Sequence, residues 1–482
     1  MTLQSRPRWL VPGYFFAAIV VYGAFVWQPI YWVDEYLTQS AINLPWGQLA
    51  DRIATKDPAM GPFYLLLKTW SLASTNLVWM RLPSILAMAA AVAILVALVR
   101  RAANTRSAIF AGALMLLLPT TSRFAQELRP YALATCFAVA AVALWWQTLH
   151  SRRLWWPVGF GAAVLLMGLF HLYTLTLVPA LLVATIAVPR QGRVRALWLT
   201  AIPAAAAGIL IVPHVLLNLA HPTGSPTAGP LSFRAIIQTA ESVMGGRWLF
   251  VSVAILALIG VGTTWQSPAL RPAAILGLCW TVVPPVLLLV GKAAADLPIL
   301  VPRYFVFCLP GACLLAALGL AWVFSRIKLV AIVVVIGLIA LGLPRQLHIR
   351  AIDGHNTSYV LGPLLTSAPL ATMPKVVAND PAIRLVNSTT YPLSLLTTTV
   401  ANGTPYVVVI ERLRFSKLVK PDFVYYNATG PWRPVLTCRV PDALVTIVKN
   451  TTAQPPPLDV GAVAAQLKSA SGGVAKCTPV NS

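Results

Sequence analysis

The chain has 482 residues, 58% hydrophobic and only 10% charged, with a mean hydropathy of +0.75. A water-soluble surface needs about a quarter charged residues, which excludes soluble enzymes, nucleic-acid readers and disordered scaffolds and leaves a polytopic membrane protein. The formal charge of +23, from 36 Lys and Arg against 13 Asp and Glu, reflects scarce carboxylates and basic loops flanking membrane spans rather than a nucleic-acid surface.

Apolar runs able to cross about 30 Å of hydrocarbon as helices fall at about 10–30, 81–99, 107–120, 130–149, 155–171, 172–189, 196–218, 248–265, 273–291, 304–325 and 329–344. They predict a polytopic α-helical membrane protein with about eleven transmembrane helices. The first run resembles a signal peptide in its basic flank, Arg6 and Arg8, but is long and lacks a small-residue cleavage site. It reads as an uncleaved first span.

With the N-terminus cytoplasmic, the turns bearing Arg100, Arg101 and Arg106, Arg152 and Arg153, Arg190, Arg193 and Arg195, Arg271, and Arg326 and Lys328 all face inward. The carboxylates before residue 344, Asp34, Glu35, Asp51, Asp57, Glu127, Glu241 and Asp296, all fall on the opposite side. An odd number of spans leaves the C-terminus outside, in a protein expected in the plasma (inner) membrane.

The first outer loop, 31–80, is long and semi-polar. Trp46, Leu49, Ile53 and Met60 interleave with Asp51, Arg52, Lys56 and Asp57, a pattern for juxtamembrane helices along the interface. Loops of this length commonly carry function. Residues 1–343 thus form the membrane domain, and 344–482, richer in Asn, Thr, Ser and Pro, a small extracytoplasmic α/β domain. There, Tyr406 to Glu411 reads as a strand among turn signals at Asn402-Gly403 and Asn427 to Gly430, and the tail from Pro455 reads as ordered in part. Cys438 and Cys477 can form a disulfide if this part is outside the cell. Cys136, Cys279, Cys308 and Cys313 lie within apolar runs and read as small core residues. No internal repeat stands out, which disfavours a transporter built of duplicated halves.

Two constellations can carry chemistry. Tyr31-Trp32-Val33-Asp34-Glu35-Tyr36 follows the first span. Adjacent carboxylates at a membrane surface are functional candidates by default; the alternative is that the pair faces water or caps the next helix. Ser122 to Tyr131 packs Arg123, Gln126, Glu127, Arg129 and Tyr131 into one short outer loop. Arginine clasps phosphate bidentately, while an ion pair of Glu127 with Arg123 or Arg129 would merely fix the loop. Further outer-end groups are Lys68, His171 with Tyr173, Lys292, and Pro302-Arg303-Tyr304. Together they suit an anionic lipid headgroup.

At these residues the sequence resembles the GT-C class of integral-membrane glycosyltransferases, which take a sugar from a polyprenyl-phosphate carrier. Its members include protein O-mannosyltransferases, the lipid A aminoarabinose transferase, and actinobacterial cell-envelope mannosyl- and arabinosyltransferases. The resemblance covers about residues 1–330. It rests on Asp34-Glu35, on Gln126-Glu-Leu-Arg-Pro-Tyr-Ala-Leu133, similar to the Gln-Glu-Ala-Arg-x-Tyr-Ala-Leu motif of bacterial members, and on Pro302-Arg-Tyr304. Where many bacterial relatives have an Asp followed by His and Gly or Pro, this chain reads Asp57-Pro-Ala-Met60-Gly61-Pro-Phe-Tyr64, with Met60 at the His position.

The resemblance implies a GT-C fold and an inverting displacement on the outer face. Asp34 would be the base, with Glu35 and Asp57 orienting sugar or acceptor; Asp34 and Asp57 could exchange roles. Arg129 and Arg303 would stabilise the departing phosphate, with Arg123, Gln126, Glu127, Tyr131, His171 and Tyr304 as further donor contacts. The donor would be a polyprenyl-phosphate sugar, mannose or arabinose. The acceptor would be a glycan, glycolipid or protein hydroxyl. No phosphate-cradling Gly-rich loop points to a nucleotide donor, and no cofactor is required, although the acids could hold a divalent cation weakly. A lipid-linked glycan polymerase or ligase, or a flippase or transporter, is the alternative. Transport places ionisable groups near mid-membrane, whereas here they sit at outer ends.

Overall fold

A computed structural model describes residues 8–29, 31–187, 190–221, 231–297, 299–351, 354, 370–377, 404–412, 432–440, 443–452, 457–471 and 475–480. The chain divides into two compact units: residues 1–27 with 40–350, and residues 28–39 with 351–482.

The first unit is helical. It opens with α1 (Leu10–Gly23). After α2 (Val33–Ile42), which begins in the second unit, come α3 (Trp46–Thr55) and α4 (Gly61–Trp70). Helix α3 is short and amphipathic, with Leu49 fully buried and Trp46 half exposed, as interfacial spacing predicts. Next are α5 (Leu77–Ala102), α6 (Thr105–Leu117), α7 (Pro119–Ala125), α8 (Tyr131–His150) and α9 (Trp155–Phe170). They are followed by α10 (Leu177–Ala184), α11 (Arg190–Ala220), α12 (Phe233–Met244), α13 (Arg247–Trp265), α14 (Arg271–Ala295), α15 (Leu309–Arg326) and α16 (Lys328–Ile349).

Among the described residues, seven helices are long and apolar enough to cross a membrane, or eight if the α6–α7 pair is one span. Three shorter apolar helices, Leu10–Gly23, Trp155–Phe170 and Leu172–Ala187, occupy other predicted spans. The predicted run 107–120 is broken: α6 stops at Leu117 and α7 starts at Pro119, bent by 66°. Proline cannot donate the backbone bond that would continue α6, and Thr121 Oγ1 instead donates to the Met115 and Leu118 carbonyls, at 2.6 and 2.7 Å.

Close packing is set by small residues. A Cβ on Gly260 in α13 would overlap the Leu315 carbonyl of α15, and one on Gly319 would overlap the Leu256 carbonyl of α13. The two backbones therefore approach as in small-residue membrane interfaces.

The end of α1 is held by three distant side chains. Gln126 Nε2 donates to the Tyr22 and Ala24 carbonyls at 2.7 and 2.8 Å. Arg350 donates to the Val21 carbonyl at 2.7 Å, and the fully buried Arg81 to that of Val26 at 2.9 Å. These groups satisfy carbonyls that a helix terminus leaves orphaned.

The second unit carries a five-stranded sheet of order β1-β2-β4-β3-β5. Its strands are β1 (Lys375–Val377), β2 (Tyr406–Arg412), β3 (Trp432–Val440), β4 (Ala443–Asn450) and β5 (Lys476–Pro479). Strands β1 and β2 are parallel and the other pairs antiparallel. Alternate residues Val408 and Ile410 of β2 pack with Leu436, Val445 and Ile447, and with Val463 and Leu467 of α17 (Val460–Ala470). The predicted strand at 406–411 is β2, whereas the turn signals at 402–403 and 427–430 lie outside the described residues. Past Pro455, the tail holds α17, capped by Asp459 through a 2.9 Å bond from Ala462 N, and then β5. Cys438 and Cys477, directly opposite on β3 and β5, form a disulfide.

Candidate active site

In the first unit, several of the predicted site residues lie where short helical turns meet the ends of helices. Asp57 precedes a 3-10 turn, Pro58–Met60, and then α4. One turn along α4, the Tyr64 hydroxyl donates to Asp57 Oδ2 at 2.5 Å. Burial raises the Tyr64 pKa well above the ordinary phenol value; the Asp57 charge and its hydrogen bond add to this, while Arg129 and Arg52 act oppositely. Tyr64 therefore remains a neutral donor. The charges of Arg129 and Arg52 are thus felt at the Tyr64 hydroxyl.

Arg129 comes from the turn between α7 and α8, and Tyr131 opens α8 behind Pro130. The Tyr131 ring meets His171 edge-on at 5.5 Å between centroids. His171 occupies the break between α9 and the 3-10 turn Leu172–Thr176, outside both helices. Its ring also lies 5.3 Å from Tyr173 and 5.2 Å from Tyr304. Burial pushes the imidazole down to about 3, reinforced by the charges of Arg303 and then Arg129. His171 is thus neutral, its Nε2 is buried without a hydrogen-bond partner among the described residues, and both arginines act on it.

Arg303 and Tyr304 sit in the 3-10 turn Pro302–Cys308, where Trp280 Nε1 anchors the Phe307 carbonyl at 2.8 Å. Asp57, Tyr64, Arg129, Tyr131, His171, Arg303 and Tyr304 therefore form one neighbourhood: a carboxylate, two guanidiniums and aromatic walls. Such a set can grip a phosphate and stack on a sugar. Among the described residues, no group of three His, Cys, Asp or Glu is arranged to hold a metal.

Other predicted residues have local partners. Arg123 Nε pairs with the fully buried Glu127 at 2.7 Å. Gln126 gives its amide N–H groups to the end of α1 and is fully buried. Lys68 donates to the Ile42 and Leu44 carbonyls at 2.9 and 2.6 Å. Met60, at the relatives' His position, is buried. Asp34 and Glu35 belong to the second unit, in the first turn of α2, where the helix dipole favours carboxylates. Glu35 is fully buried and accepts from Trp32 N at 3.4 Å; the Asp34 side chain is half-buried.

The sequence gives no site role to Tyr64 or Arg52. Tyr64 lies seven residues beyond Asp57, two turns on, a spacing that could have flagged it. Arg52 is half-buried with its Nε unpartnered among the described residues. Its signal is weak, one cation among several on a polar helix face.

The fold resembles that of ArnT from Cupriavidus metallidurans bound to undecaprenyl phosphate, at TM-score 0.53 and 14% identity, over 94% of this chain and 100% of that one. The apo ArnT structure gives TM-score 0.53 and 15% identity over 93% and 99%. The archaeal oligosaccharyltransferase AglB from Archaeoglobus fulgidus, in complex with an inhibitory peptide and a dolichol-phosphate, matches at TM-score 0.52 and 12% identity over 85% and 70%. The chain has the GT-C fold. Residues 56–217 match the family described as Dolichyl-phosphate-mannose-protein mannosyltransferase. That stretch begins one residue before Asp57 and includes Arg129, Tyr131 and His171. No curated protein sequence matches the chain.

Proposed function

We propose that this GT-C protein is an inverting glycosyltransferase moving a sugar, mannose or arabinose, from a polyprenyl-phosphate carrier to a hydroxyl of a cell-envelope glycan, glycolipid or protein. The observation that carries this reading is the aromatic cluster of His171 with Tyr131 and Tyr304, with the Arg303 guanidinium 5.5 Å over the Tyr304 ring, where the charges of Arg303 and Arg129 are both felt at the buried, neutral imidazole. Two guanidiniums at a membrane-end site suit a lipid-linked phosphate. The presence of undecaprenyl phosphate on ArnT and dolichol-phosphate on AglB supports that choice of donor.

The step requires one base and one stabilised leaving group. Asp34 takes the proton of the acceptor hydroxyl as its oxygen bonds to the anomeric carbon. The bond from that carbon to the phosphate oxygen breaks, and its electron pair leaves on polyprenyl phosphate, which Arg129 and Arg303 stabilise. The phosphate departs unprotonated, so no second carboxylic acid is needed, unlike glycoside hydrolysis. Asp57, with Oδ2 taken by Tyr64, and Glu35 orient sugar or acceptor, and Arg52 joins the cationic wall. Tyr131, His171 and Tyr304 line the donor. Gln126 and the Arg123–Glu127 pair act through the backbone they brace. The site faces the extracytoplasmic side of the plasma membrane, with the N-terminus cytoplasmic and the 344–482 domain outside.

The test is release of polyprenyl phosphate and transfer of label from polyprenyl-phosphate mannose or arabinose by purified protein in lipid. Arg129→Ala and Arg303→Ala are each expected to lower kcat by about 10²-fold, as loss of one oxyanion-stabilising donor does. Full activity in both variants would rule out this phosphate site.

A further inference from the structure

The turn that carries Arg100, Arg101 and Arg106 lies at the opposite end of the α5–α6 hairpin from Arg129. Helix α5 has 26 residues, about 39 Å at 1.5 Å per residue, so the two ends are a membrane thickness apart. At the far end lies a cavity of about 1000 Å³, lined by Arg100 and Arg101 of α5, Arg106 and Ser107 of α6, Thr264 of α13 and Trp322 of α15. Among the described residues, no Asp or Glu lines it.

Several features of this cavity suit a phosphate. Helix α6 begins at its wall, where Asn104 caps Ser107 N at 2.9 Å, so a helix N-terminus adds partial positive charge. The Ser107 side chain is 1% exposed, and its hydroxyl has no hydrogen-bond partner among the described residues. A buried hydroxyl left unpaired is costly, and a ligand oxygen would satisfy it. Arginine is the side chain best matched to phosphate oxygens.

We propose that this cavity binds the phosphate headgroup of an anionic membrane lipid. A lipid fits better than a free anion because the walls are of two kinds. Leu270, Leu318 and Ala321 line the cavity with the arginines, and Trp322 is 41% exposed. The Arg106 guanidinium lies 5.3 Å above the Phe324 ring, which keeps one guanidinium face toward apolar surface. A lipid supplies both a phosphate and an acyl chain, and basic pockets between spans recognise such headgroups. The bound lipid would tie α5 and α6 to α13 and α15, far from the proposed chemistry and independently of it.

The test is native mass spectrometry of the full chain in detergent with phosphatidylglycerol, or with phosphatidylcholine as the neutral comparison. Wild type is expected to retain one phosphatidylglycerol in preference to phosphatidylcholine by about tenfold. Arg101→Gln with Arg106→Gln is expected to abolish that preference, and Ser107→Ala to weaken it about threefold. Arg152→Gln, in a basic turn outside the cavity, should leave it unchanged. Arg101 and Arg106 are exposed, so the fold should survive; if the double variant unfolds, Arg106→Gln alone is read the same way. Unchanged preference in these variants, or an equal loss in Arg152→Gln, would overturn the site. Displacement of the lipid by inorganic phosphate at the same concentration would overturn the lipid assignment in favour of a soluble anion.

Discussion

Tyr64 holds Asp57 through a buried hydroxyl, and the direction of its pKa shift has a measurable result. Burial raises that pKa, so the phenol keeps its proton, and its bond to Asp57, through the pH near 10 where an exposed tyrosine ionises. Sugar transfer should therefore show no loss assignable to Tyr64 up to that pH. Tyr64→Phe removes a hydrogen bond to a charged group, worth about 1.5–3 kcal/mol, and transfer should fall at least about tenfold. For His171 the sign is opposite. Its folded pKa, about 3, lies below the unfolded value near 6.5, so the unfolded chain binds the extra proton first. Its contribution to stability is complete above 6.5 and is lost as pH falls toward 3. Thermal midpoints measured from pH 7 to 4 should decline less steeply in His171→Gln than in wild type; parallel curves would contradict the buried neutral imidazole.

At the scale of elements, hydropathy made the spans legible because membrane burial demands long apolar runs. The breaks in those runs were harder to read. Leu118-Pro119 interrupts a continuous apolar stretch, and the 66° bend there depends on Thr121 capping carbonyls locally. The motif arginines 129 and 303 were legible as residues that span ends present. Their meeting at His171 was not, since it depends on two 3-10 turns far apart in sequence. Gln126 shows the same limit: its place in a recognisable motif suggested donor contact, while its amide braces Tyr22 and Ala24 more than a hundred residues away. The α13–α15 crossing gives a direct test of packing. A side chain at Gly319 would overlap the Leu256 carbonyl, so Gly319→Val should destabilise by about 3 kcal/mol or more, seen as a lower thermal midpoint in detergent; an unchanged midpoint would contradict the close approach.

For the whole molecule, charge organises function along the helix axes. The turns at Arg100–Arg106, Leu270 and Ser325 line one cavity. Arg129 follows α7 and Arg303 follows α14, beyond the ends opposite those turns. The second unit, whose strands β3 and β5 are joined by Cys438–Cys477, was legible as a strand and two cysteines, but strand order was not, because pairing across distant segments leaves no local pattern. The most direct measurement is label transfer from a polyprenyl-phosphate sugar by wild type and by a folded Asp34→Asn protein in lipid. The expected result is transfer by wild type with inversion at the anomeric carbon, and a loss of about 10²–10⁴ in Asp34→Asn. Transfer at the wild-type rate by Asp34→Asn would contradict the assigned base, and absence of transfer by wild type from both donors would contradict the assigned reaction.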